Sequence, residues 1–284
     1  MMFNEQAGSI ICGIIGDAIG SHFEFGESRV GFDEVHPSDI PPLVNPQSGA
    51  TNVFGHPAGS FTDDSIQMIL FMEMILEFGG RHSTHEFKRK LLEWIDDGRW
   101  TPKNHCFDVG VQTIMELRYG PSVPADQNQQ GNGGIMRAAP IAWFFQGQDR
   151  EIIRYNRVTH PAVVCNFCAL MMSKTITGEY TIDECVDIIE RLCSRLDGTY
   201  RPGSAWVVST LLQALYIVRE HEDNFQAGLA AICNDGGDTD TIACVYGQIW
   251  GSRYGLTGIH PSLYENIWEI EKIKEILVEF TNTL

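Results

Sequence analysis

The chain has 284 residues, 43% of them hydrophobic and 20% charged, which suits a globular protein with a sizeable core. Its formal net charge of -17 repels phosphate backbones and argues against nucleic-acid binding by counterion release. The start, MMFNEQAGSIICGIIGDAIG, carries Glu5 and no basic n-region, and no apolar run reaches the length of a membrane span. With no export signal, the eight cysteines read as reduced core thiols, and a cytoplasmic protein is expected.

Along the chain, Gly13, Gly16 and Gly20 mark a first helix at helical spacing. Residues 28–62, with five prolines, read as a loop. The run SIQMILFMEMILEF, residues 65–78, is apolar almost all round and predicts a buried helix. An amphipathic helix is expected over 83–97 through Phe87, Leu91, Leu92, Trp94 and Ile95. Residues 119–134 are polar and rich in Gly and Pro, and predict a second long loop that opens a helix over 135–145. Helices then follow over 162–175, 182–196, 205–219, 223–233, 239–254 and 263–280. Period-two runs of Val, Ile and Thr are scarce, so no sheet is needed. Ala243, Gly247, Gly251 and Gly255 form a ridge of small residues, which suggests close approach of two helix backbones and would bring the two ends of the chain together. The expected fold is all-α, one domain over 1–284.

Two acidic clusters stand out. Thr62-Asp63-Asp64-Ser65 lies where the first loop meets a helix, and one Asp there has an ordinary explanation as an N-cap. Two adjacent carboxylates repel each other unless a cation intervenes. The segment Asn234-Asp235-Gly236-Gly237-Asp238-Thr239-Asp240-Thr241 places three Asp and two Thr within a short span, with no Lys or Arg beside them. Its paired glycines let the chain fold tightly so that Asp238 and Asp240 converge. Oxygen donors of this kind suit Mg2+, Mn2+ or Ca2+ rather than zinc, and two clusters suit a pair of ions roughly 3.5 to 4 Å apart. Cys165-Asn166-Phe167-Cys168 is a lone C-x-x-C and reads as buried thiols. Gly131-Asn132-Gly133-Gly134 is either a phosphate cradle at a helix start or a plain turn. Phe107-Asp108-Val109-Gly110 says little by itself.

Four segments resemble the ADP-ribosylglycohydrolase family, which includes dinitrogenase-reductase-activating glycohydrolases and ADP-ribosylhydrolases. They are GIIGDAIGSHFEF (13–25), FTDDS (61–65), GNGGIMRAAPIAWF (131–144) and GGDTDTIACVYGQIWGSRYG (236–255), in family order across most of the chain. FDVG (107–110) and THPA (159–162) are weaker echoes. The resemblance implies a compact orthogonal multi-helix bundle with a central di-metal cleft, in which Thr62, Asp63, Asp64, Asp238, Asp240 and Thr241 bind two Mg2+, or Mn2+. It implies a mobile Glu24 near the metals and Asp108 near the scissile bond as the catalytic carboxylates. Asn132, Gly133 and Gly134 then line the diphosphate side of the pocket, with Met136 and His160 as further substrate contacts. Ser65 departs from the usual Thr but keeps the hydroxyl. The implied activity is hydrolysis of the N- or O-glycosidic bond between ADP-ribose and a modified acceptor, protein arginine first. The expected partner is an ADP-ribosylated protein or a small ADP-ribose derivative, with neither nucleic acid nor membrane, and the protein is expected to be monomeric. The alternatives are the same fold acting on another ADP-ribose derivative, or a non-catalytic immunity protein that blocks an ADP-ribosylating toxin by contact.

Overall fold

The structure is a computed structural model that describes residues 2–120 and 129–284. Among the described residues the chain forms twelve α-helices and no strand, only three isolated bridges, so the all-α expectation holds. In order, the helices are α1 (Met2–Gly20), α2 (Asp63–Glu77), α3 (Thr84–Asp97), α4 (Val111–Tyr119), α5 (Ala138–Phe144) and α6 (Asp149–Asn156). They continue with α7 (Val163–Ile176), α8 (Ile182–Arg195), α9 (Val207–Glu220), α10 (Phe225–Asp235), α11 (Thr239–Tyr254) and α12 (Ile270–Thr281). No described helix is long and apolar enough to cross a membrane.

The glycine spacing of the first and eleventh helices explains the centre of the molecule. A Cβ at Gly16 would stand 2.0 Å from the Ala243 carbonyl oxygen, and one at Gly247 would stand 2.1 Å from that of Cys12. At Gly251 the distance to the Gly8 carbonyl oxygen would be 2.2 Å. These separations are far below van der Waals contact, so only glycine lets α1 and α11 lie backbone to backbone. The expected meeting of the two ends of the chain is what the structure has. Around this pair, α2 is buried on nearly every side, with Ile66 to Met72 wholly enclosed. Phe71 is packed edge-on against Phe87, Phe144, Phe145, Tyr155 and Phe280, with centroids 5.3 to 6.3 Å apart.

Several boundaries differ from the sequence reading. The helix expected over 263–280 begins at Ile270, because the Trp268 N–H is spent on the Gly59 carbonyl and Glu269 has a left-handed φ of 57°. The helix expected from Ile135 begins at Ala138. Residues 132–138 form two successive turns instead, Ile135 N–H to Asn132 and Ala138 N–H to Ile135. Helices α4 and α6 were not expected. The loop over 28–62 carries three short 3-10 turns, at Pro37–Asp39, Pro41–Val44 and Pro46–Ser48, each begun by proline. Of the second long loop, residues 121–128 lie outside the described residues. All eight cysteines are free and seven are buried, as expected; Cys165 of the C-x-x-C donates weakly to the Gly131 carbonyl.

Candidate active site

The two acidic segments, 175 residues apart, meet at one place. Both sit at helix starts, yet neither acts as an ordinary cap. Thr62 is the N-cap of α2 and Asp238 that of α11, and neither side chain caps its helix. The Thr62 hydroxyl lies 3.4 Å from Asp64 Oδ2 and 3.4 Å from Asp240 Oδ2, and the Thr241 hydroxyl lies 3.4 Å from Asp64 Oδ2. Glu24, Asp238 and Asp240 each offer an oxygen to a group in which all lie within 4.8 Å of one another.

Each side of this cluster has its own support. Asp17, on α1 and wholly buried, accepts the Thr62 N–H at 2.9 Å and the Thr62 hydroxyl at 2.8 Å. It also accepts the Ser65 N–H at 2.9 Å and the Ser65 hydroxyl at 2.5 Å. The Thr62 proton is therefore committed to Asp17, which leaves an oxygen lone pair for the cluster. Ser65 keeps its hydroxyl for Asp17 as well. On the other side, Gly237 exchanges backbone bonds with the stretch after Glu24: Phe25 N–H to Gly237 at 2.8 Å and Gly237 N–H to Gly26 at 2.9 Å. Gly236 and Gly237 have φ of 73° and 76°, and a Cβ on Gly237 would stand 2.2 Å from the Gly203 carbonyl oxygen. The glycine pair thus does what its sequence suggested. Asn132 donates its amide to Asp238 at 2.8 Å and to Thr210 at 2.9 Å.

The electrostatics follow from packing so many acids in a dry place. No carboxylate of this group forms an ion pair among the described residues. Glu24 is pushed up to about 9, first by burial and then by the charges of Asp108, Asp238 and Asp17. Asp108 is pushed up to about 7, first by burial, with the charges of Asp17 and Asp238 adding to the rise. Asp63, Asp64 and Asp240 are also raised well above the carboxylate range, burial first and neighbouring carboxylates next. Asp64 Oδ1 and Glu24 Oε2 are buried without any hydrogen-bond partner. Buried acceptors normally find donors. Hard oxygens converging from Glu24 and the two acidic segments, two of them unpartnered, fit a divalent cation of the magnesium class.

Above the cluster opens a cavity of about 750 Å3, within the range of small-molecule sites. Glu24, Asp63, Asp108, Asn132, Gly133, Met136, His160, Asp238, Asp240 and Thr241 all line it, so most of the residues singled out from the sequence come together here. Thr62 and Asp64 lie beneath its floor, and Gly134 lies behind the wall, where a Cβ would stand 2.1 Å from Asn156 Oδ1. Asp108 reaches the cavity from a left-handed backbone with φ 57°. Phe25 and Phe107 form an aromatic rim that continues through Phe54 and His56. His160 is buried and held neutral, its imidazole pushed down to about 3 first by burial and then by the nearby Arg137 charge. Asp17, Gln67 and Arg137 were missed. In sequence, Asp17 is a single acid in an apolar helix and Arg137 a single base near a helix start, and only the unbroken apolar surroundings hinted at burial.

An all-α scaffold that gathers unpaired carboxylates under a cavity of small-molecule size defines a protein with a floor suited to a divalent cation. A family model described as ADP-ribosylglycohydrolase matches residues 3–283, and the chain belongs to that family of glycosidic-bond hydrolases. It is 26% identical over 298 residues to the ADP-ribosylarginine hydrolase Tri1 of Serratia proteamaculans (strain 568), covering 96% of this chain and 78% of that one. It is 25% identical over 232 residues to the ADP-ribosyl-[dinitrogen reductase] glycohydrolase of Rhodospirillum rubrum, covering 77% and 76%. A solved structure titled ADP-ribosylglycohydrolase-related protein complex superposes with a TM-score of 0.77 at 21% identity, over 99% of this chain and 98% of that one.

Proposed function

We propose that the chain, as one domain, removes ADP-ribose from arginine side chains of modified proteins, with two Mg2+ or Mn2+ ions held by Thr62, Asp63, Asp64, Asp238, Asp240 and Thr241. The observation that carries this reading is the meeting of the two acidic segments, Thr62 against Asp240 and Thr241 against Asp64, at the base of the cavity of about 750 Å3. The names of the relatives from Serratia and Rhodospirillum support ADP-ribosyl-arginine and ADP-ribosylated protein as the substrate class.

Bound divalent cations supply Lewis-acid anchoring of hydroxyl oxygens and a water of lowered pKa. The residues of the chain supply the rest. Glu24, whose oxygen converges with those of Asp238 and Asp240, and Asp108 both line the cavity, placed to take a proton from the attacking water or to give one to the leaving nitrogen. The rim of Phe25 and Phe107 shields the mouth. Such a cleavage passes through an oxocarbenium-like state, which the surrounding carboxylates stabilise by charge. We place the protein in the cytoplasm, in keeping with its free thiols, and propose that it is a monomer.

Arginine- and serine-ADP-ribosylated peptides offered in parallel, with and without EDTA, test the proposal. Release of ADP-ribose from the arginine peptide, abolished by EDTA, is the expected result. Release insensitive to EDTA refutes the cation assignment. Protection of a target from modification without any release identifies a blocker that acts by contact.

A further inference from the structure

Arg137 is wholly buried and lies behind the cavity wall, not on it. Burial pushes it down to about 10, which leaves it cationic at neutral pH. Its Nη1 donates to Gln67 Oε1 at 2.6 Å and to the Gly133 carbonyl at 2.9 Å. Its Nη2 donates to Thr159 Oγ1 at 2.6 Å and to the carbonyls of Tyr155 and Asn156 at 3.4 Å. A guanidinium only donates, so each of these contacts has a fixed direction.

Two chains of consequence leave Arg137. Gln67 turns its oxygen to the guanidinium, so its amide nitrogen faces Asp63 Oδ2 at 3.1 Å. Thr159 is wholly buried and accepts from Arg137, so its own hydroxyl proton needs an acceptor. The remaining partner is His160 Nδ1, at 2.9 Å. If Nδ1 accepts, the neutral ring carries its hydrogen on Nε2. That edge lies beside Gly131 and Gly133, where added Cβ atoms would stand 3.6 and 3.2 Å from Nε2.

We propose that Arg137, acting through Thr159, locks His160 in its Nε2–H tautomer and so turns it into a neutral hydrogen-bond donor for a phosphate or hydroxyl oxygen in the cavity. Arg137 is a positioning residue that sets both the His160 wall and, through Gln67, the Asp63 floor. The ligand part of this inference rests on the reading of the cavity as an ADP-ribosyl site; the tautomer does not.

Long-range proton–nitrogen NMR correlation on the full chain reads the tautomer, with His160→Gln assigning the signals. The expected spectrum has an unprotonated Nδ1 and a protonated Nε2 on His160. Thr159→Val keeps the shape and removes the hydroxyl. It should release the ring into a mixture of tautomers and weaken ADP-ribose binding by calorimetry in proportion to the Nε2–H population lost, about twofold for an even mixture. Thr159→Ser should restore both. A hydrogen on Nδ1 in the unaltered protein, or an unchanged tautomer in Thr159→Val, overturns the lock. A released tautomer with unchanged ADP-ribose affinity overturns the donor role. Failure of the unaltered protein to bind ADP-ribose would instead refute the substrate reading and leave the tautomer result standing.

Discussion

At the start of α2, Thr62 and Ser65 are fixed by a side chain from elsewhere: Asp17 of α1 takes the backbone and hydroxyl donors of both. At the start of α11, Asp238 and Asp240 are fixed mainly by backbone, through Gly236 and Gly237 pressed against Gly26 and Gly203. The two segments read alike in sequence, as acidic residues before an apolar helix. One is held by a buried carboxylate that must itself be desolvated, the other by the absence of a side chain. Support of the first kind is electrostatic and answers to pH and cations. Support of the second kind is steric and does not.

The largest effect should come from the shared floor. Asp64→Asn and Asp238→Asn should each lower kcat on an arginine-ADP-ribosylated peptide by about 10²- to 10³-fold, as removal of one preorganised charged group does, with an unaltered circular dichroism spectrum. Near-normal turnover of either variant at saturating Mg2+ would detach that helix start from the site. Next, Asp17→Asn keeps the size of the side chain but not its four acceptances, and should weaken Mg2+ binding by calorimetry about 10- to 100-fold. An unchanged affinity would show that α2 holds its own first turn.

Gly237→Ala separates the steric support. The new Cβ has no room beside Gly203, and the backbone there is left-handed. The variant should lose about 1 to 3 kcal/mol of stability by chemical denaturation, by the same amount with and without Mg2+ apart from the ion's own contribution. The electrostatic support is read by the pH dependence of the cation-free protein. Burial first, then like charge, raises Glu24 to about 9 and Asp108 to about 7 in the folded state. The folded chain then holds protons that the unfolded chain has released. The stability these groups contribute is present below the ordinary carboxylate range and is lost as pH rises through those two values. In EDTA the Tm should fall between about pH 6 and about pH 9, and Mg2+ should flatten the fall. A flat profile in EDTA would mean that the carboxylates are further apart than they stand here.

The same contrast explains what could be read from the chain alone. The boundaries of α11, Thr239–Tyr254, were legible because apolar periodicity and a glycine ridge speak together, and the ridge also named the contact with α1. The acidic segments were legible because neighbouring like charges without bases are costly in any setting. Asp17 and Arg137 were not, because a single charge in an apolar stretch looks the same whether it faces water or a buried partner in a distant segment. The start of α12 was misplaced for a similar reason: the turn before it is set by the distant Gly59 carbonyl, which no local pattern near residue 268 reveals.

The central claim is that the starts of α2 and α11 share cations. Anomalous diffraction from crystals of the protein soaked in Mn2+ tests it directly. The account predicts two manganese peaks between the Thr62–Asp64 and Asp238–Thr241 oxygens, with at least one ion touching both segments. Peaks confined to one segment, or none between the two at saturating Mn2+, would contradict it.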